Sequence, residues 1–171
     1  NQLFNIAIEL DVIQKNYAAF VKLPSKPQSS KHSAFTKEEI KILFENVFAE
    51  KWADTALILI YTGMRPSELL KIKTADVHLD ERYMVGGLKT KAGKDRIIPI
   101  CDKVLPFVRK RYNSNAEYLI EENGKPVSYD KYAKFFSACM ENFNMKHLPH
   151  DGRHTFASMA NTKGINTTSV K

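Results

Sequence analysis

VHLDERYMVGGLKTKAGKDRIIPI, residues 77–100, is where the periodicity of the chain changes. Val77 and Leu79, then Tyr83 to Leu88, then Arg96 to Ile100, read as three short strands. The second and third flank Lys89-Thr90-Lys91-Ala92-Gly93-Lys94-Asp95, a basic hairpin turn. On both sides of this stretch the apolar residues follow helical spacing. Upstream, Thr36 and Glu39 form a capping box for a helix from about residue 37 to 48, and Phe35 stands where a hydrophobic staple would. A second helix covers about 52–61 and ends at Thr62-Gly63, with Gly63 suited to the left-handed position after a helix. Pro66 fits the first turn of a third helix, 66–71. Downstream, helices are expected over 103–112, over 129–143 behind Ser128 as cap, and over 152–162 before Gly164. Helices, a three-stranded antiparallel sheet, then helices, with no βαβ alternation, predict a mainly helical α+β domain.

Further out, Leu3, Ile6, Ala7, Leu10 and Ile13 predict a helix over residues 2–14 with one apolar face. Lys22 to Ser33 is rich in Pro, Ser and Lys and has no periodicity, which marks a linker. The expected organisation is the tail of a preceding domain in 1–20, a linker in 21–35, and the main domain in 36–171. The chain starts at Asn1 rather than Met, and its last residues carry no helix stop, so a fragment of a longer protein is expected.

The 171 residues suffice for one buried core. Lys and Arg number 26 against 19 Asp and Glu, a net charge of +7 that favours a polyanion, most often nucleic acid. A merely soluble basic protein would show the same balance. Cys101 and Cys139 have no ligand pattern around them and read as reduced core thiols of a cytosolic protein. No apolar run approaches the roughly 20 residues that span a bilayer, and no signal peptide is expected among these residues.

Three stretches can carry chemistry. In Thr62-Gly63-Met64-Arg65-Pro66-Ser67-Glu68, Arg65 lies at a helix start, where free N–H groups favour an anion. Glu68, three residues on, can orient its guanidinium, although a surface ion pair has the same spacing. In His147-Leu148-Pro149-His150-Asp151-Gly152-Arg153-His154, Pro149 forces a new helix to begin near His150 or Asp151. His150 and Arg153 then project together, one able to exchange protons near neutrality, the other a fixed fork for phosphate oxygens. His150 and His154 also have the spacing of two zinc ligands, but Asp151 replaces the glutamate of that motif and Arg153 would repel a cation. The hairpin turn offers Lys89, Lys91, Lys94 and Arg96, either to a duplex or simply to solvent.

The order of these stretches resembles the tyrosine recombinases, in particular the integrases of phages and conjugative elements. The family's TGxRxxEl pattern matches residues 62–69. Its HDLRHTFAs pattern matches His150 to Ser158, with Gly152 in place of Leu, and its KTxxGxxRxIPl hairpin is visible before Ile100. The resemblance implies that residues 1–35 are the end of a core-binding domain with its linker, and that 36–171 are the catalytic domain. It implies that Arg65 and Arg153 hold the non-bridging oxygens of a scissile phosphate, that His150 assists proton transfer, and that Lys89 protonates the departing 5′ oxygen. Glu68 and His154 would be supporting residues, and Lys91, Lys94 and Arg96 would contact DNA. Lys91 is the alternative acid, because the hairpin turn here is long. The attacking group would be a tyrosine that forms a 3′-phosphotyrosyl link, with no metal and no cofactor. The implied partners are double-stranded DNA and further copies of the full-length protein, four in a synaptic complex.

The family places its nucleophilic Tyr downstream of the second arginine, and no Tyr or Trp follows Arg153 here. Tyr61, Tyr83, Tyr112, Tyr118, Tyr129 and Tyr132 all lie upstream and read as core or surface aromatics. The nucleophile is therefore expected outside these residues. Two rival readings share the fold: a type IB topoisomerase, and a DNA-binding regulator without catalysis.

Overall fold

The structure, a computed structural model, describes residues 2–21, 33–87, 95–162 and 164. It falls into two compact units, residues 1–30 and 31–171. In the first, α1 (Gln2–Glu9) is followed by a 3-10 turn at Tyr17–Phe20. The helix is shorter than the expected 2–14, because the chain turns at Asp11, which adopts a left-handed φ of 54°. No residue of α1 is buried.

In the second unit, α2 (Lys37–Asn46) opens with the expected capping box. Thr36 Oγ1 accepts the Glu39 N–H at 3.2 Å, and Glu39 Oε2 accepts the Thr36 N–H at 2.8 Å. Then α3 (Ala53–Thr62) runs through the centre of the unit, with every residue from Ala53 to Ile60 buried. It packs against α2, α5 (Leu105–Arg111), α6 (Tyr129–Asn142) and α7 (Asp151–Thr162). A helix apolar on all sides is one enclosed on all sides. It stops at Gly63, left-handed with φ 66°, whose N–H bonds back to the Leu59 carbonyl at 3.0 Å. Pro66 opens the short α4 (Pro66–Leu69), its missing N–H costing nothing at a first turn.

The three-stranded sheet is antiparallel in the order β1 (Val77–His78), β2 (Tyr83–Gly86), β3 (Arg96–Pro99). Tyr83 faces Pro99 and Gly86 faces Arg96, so the β2–β3 turn is the expected basic hairpin. Its residues 88–94 lie outside the described residues. Along β3 the exposure alternates: Ile98 and Ile100 are buried, Ile97 and Pro99 exposed. The same alternation puts Cys101 on the outer face, which corrects its expected place in the core. Cys139 is buried in α6, where desolvation pushes its thiol up to about 12.

A second hairpin, β4 (Glu121–Glu122) and β5 (Lys125–Pro126), was not expected. Its turn is Asn123-Gly124, with φ of 53° and 69°. Two positive φ values in a two-residue loop match the twist of a hairpin, and Asn-Gly is the dipeptide that tolerates them. Glu122 anchors the hairpin, with Lys51 at 3.0 Å and Lys131 at 2.9 Å. At the end of α5, Arg111 grips Asp54 with two bonds of 2.6 and 2.7 Å and lies over the Trp52 ring at 4.8 Å.

Candidate active site

Gly63 turns the chain sharply after α3, so Arg65 becomes the residue just ahead of α4. Its backbone N–H donates to Glu68 Oε2 at 2.8 Å, and its Nη1 donates to Glu68 Oε1 at 3.0 Å. Arg96, at the start of β3, adds Nη2 to Glu68 Oε2 at 2.9 Å. Glu68 is only 2% exposed, whereas the Arg65 side chain is 48% exposed and Arg96 32%. Burial disfavours the Glu68 carboxylate. The Arg65 N–H and the charges of Arg96 and Arg65 more than offset that, holding the carboxyl below the ordinary glutamate value. A buried anion thus orients two half-exposed cations.

The other stretch arrives on α7. Pro149 stops any helix before it, and α7 starts at Asp151. From its first turn Arg153 Nη1 donates to the Gly63 carbonyl, tying the second motif to the turn of the first. Burial lowers the Arg153 guanidinium below the usual arginine value, and the positive charges of Arg65 and Arg96 lower it further. Two guanidinium groups bond one carboxylate and Arg153 lies within electrostatic reach of all three, which makes a ready site for an added anion. His150 is half-buried just ahead of α7, its ring 6.4 Å from that of Tyr129. His154 is exposed. Among the described residues no group of three or more His, Cys, Asp or Glu is arranged to hold a metal ion. Lys89, Lys91 and Lys94 lie outside the described residues.

The contact between α7 and α3 is close. A Cβ on Gly152 would stand 2.7 Å from Leu59 Cβ, and one on Gly63 would stand 2.5 Å from the Phe156 ring. On this face of α7 there is no room for a side chain at position 152. Beside α4 a groove of about 600 Å³ is lined by Ser67, Lys71, Lys73, Tyr118, Ser128 and Tyr129. Sequence reasoning attached no role to His147. It is buried between Glu39 and Asp151, at 3.2 and 3.1 Å.

Residues 33–171 match the Phage integrase family. The chain belongs to that family. Within the phage integrase family's wider set of relatives, it is similar to the tyrosine recombinase XerA of Pyrococcus furiosus. The two are 30% identical over 143 residues, covering 77% of this chain and 49% of that protein. It is also 28% identical over 180 residues to a tyrosine recombinase of Thermosipho africanus, covering 100% of this chain and 62% of that one. The chain thus spans roughly half to three-fifths of these relatives' length. Its fold is that of the Tn1549 transposon integrase in complex with transposon right end DNA, at a TM-score of 0.71 and 21% identity over 98% of this chain and 65% of that one. It also resembles lambda integrase in a tetramer bound to a Holliday junction, at 0.68 and 18%, over 98% of this chain and 53% of that one. No described helix is long and apolar enough to cross a membrane.

Proposed function

We propose that the full-length protein is a site-specific DNA recombinase that integrates or excises a mobile element. It cleaves and rejoins DNA through a 3′-phosphotyrosyl intermediate. The observation that carries this reading is the Arg153–Gly63 bond, which draws two motifs 90 positions apart into one cluster of Arg65, Arg96 and Arg153 around buried Glu68. Arg65 and Arg153 hold the non-bridging oxygens of the scissile phosphate and stabilise the charge that gathers there in the transition state. His150 donates a hydrogen bond to the phosphate and assists proton transfer. Lys89 protonates the 5′ oxygen, Glu68 orients Arg65, and His154 supports the pair. Lys91, Lys94 and Arg96 contact the duplex.

In this reading residues 1–20 end a core-binding domain, 21–35 link it, and 36–171 are catalytic. The partners are double-stranded DNA and three further copies in a synaptic tetramer, an arrangement supported by the likeness to lambda integrase.

A suicide substrate, nicked so that the cleaved end diffuses away, tests the chemistry. The full-length protein is expected to give a protein–DNA band on a denaturing gel that R65A or R153A abolishes. Residues 1–171, with no tyrosine after Arg153, are expected to give none. A band from 1–171 alone would overturn the assignment of the attacking group.

A further inference from the structure

His147 lies three residues ahead of His150, away from the arginine cluster. Its side chain is 5% exposed. Nε2 faces Glu39 Oε2 of α2 at 3.2 Å, and Nδ1 faces Asp151 Oδ2 of α7 at 3.1 Å. The ring stacks on Phe35 at 3.7 Å, and the Ser33 hydroxyl is 3.5 Å from Nδ1. A neutral imidazole has one N–H, so one nitrogen would aim its lone pair at a carboxylate oxygen. An imidazolium donates to both. Each carboxylate oxygen is itself engaged, Glu39 Oε2 by the Thr36 N–H at 2.8 Å and Asp151 Oδ2 by the Leu148 N–H at 2.9 Å. Asp151 is 1% exposed, and a carboxyl group so buried requires hydrogen-bond partners.

We propose that His147, bridging Glu39 and Asp151, is a clamp that positions the first turn of α7 and with it His150 and Arg153. Asp151 N–H bonds the Leu148 carbonyl at 2.9 Å, and the His150 carbonyl accepts from the Arg153 N–H at 3.1 Å. Any displacement of Asp151 is therefore passed directly to both. At the other end Glu39 is part of the α2 cap, and α2 packs on α3 as α7 does. A bond of 2.9 Å from the Phe35 N–H to Thr155 Oγ1 fastens the strap of chain ahead of α2, Ser33 to Thr36, to α7 one turn further on. His147 touches no reacting atom and acts only through α7.

This inference rests on the catalytic reading of His150 and Arg153, and the test separates the two. In the full-length protein, H147F keeps a ring against Phe35 and loses both nitrogens, while H147Q keeps one. H147F is expected to bind uncleaved duplex as the wild type does and to cleave a suicide substrate about 10²-fold more slowly, the usual size of an ångström-scale misplacement. H147Q should fall between. If affinity, cleavage and melting temperature drop together, His147 is merely structural and the positioning role is overturned. Wild-type cleavage by H147F overturns it as well. Nitrogen-15 NMR of histidine-labelled wild-type protein, which needs no variant to fold, should show a His147 ring N–H that exchanges slowly with solvent. A ring N–H that exchanges freely refutes the clamp. Should R153A cleave normally, the catalytic reading fails while the NMR signature still decides the clamp.

Discussion

Glu68 is one carboxylate asked to hold two arginines, and acid should reveal it. A carboxyl whose folded value lies below its unfolded one, about 4.3, stabilises the fold above that unfolded value. The contribution is lost as pH falls through the lower folded value. Urea midpoints measured from pH 6 down to pH 3 should therefore fall less steeply for E68Q than for the parent, and parallel curves would show that Glu68 is not linked to folding. Lysine assignment is a second matter at this scale. Lys89 is the proposed acid, so in the full-length protein K89A should slow cleavage of ordinary DNA by about 10²–10⁴-fold, the weight of a positioned acid. A 5′-bridging sulfur leaves without protonation and should restore that variant. Rescue of K91A and not of K89A would reverse the assignment.

Among the elements, those whose ends are written locally were legible. Thr36 with Glu39, Gly63, Pro66 and Ser128 each marked a boundary that the structure places within a residue or two. The β4–β5 hairpin was overlooked although Asn123-Gly124 is its signature, because strands of two residues show no alternation to notice. At the site, the clustering of Arg65, Glu68 and Arg153 was anticipated from motif order, but the inclusion of Arg96 beside Glu68 was not, since it depends on sheet register. His147 was out of reach for a different reason: the strap it binds lies far away in sequence, as the 120-residue separation of Phe35 and Thr155 shows. The closest helix contact also carries a prediction. G152A places a methyl 2.7 Å from Leu59 Cβ, an atom fixed to its backbone, and should destabilise by roughly 1–3 kcal/mol. Chemical denaturation measures it, and an unchanged midpoint would mean that α7 can lift from α3 at no cost.

For the molecule as a whole, the net charge of +7 and the arginine cluster predict binding to duplex DNA that tolerates sequence and yields to salt. If about five phosphates are engaged, log K should fall against log salt with a slope of roughly −4 to −5. Anisotropy titrations from 50 mM salt upward test this, and a slope near zero would remove the electrostatic footing of the proposal. The burial of α3 has a consequence of another kind. Its backbone from Ala56 to Ile60 has no face towards water and is enclosed by four other helices. Partial openings that free the hairpins leave that enclosure in place, so deuterium reaches those amides only when the packed helices themselves come apart. They should be the slowest-exchanging protons in the chain, with a protection that tracks global stability as denaturant is added. The amides of α1, a helix with nothing buried, should exchange first.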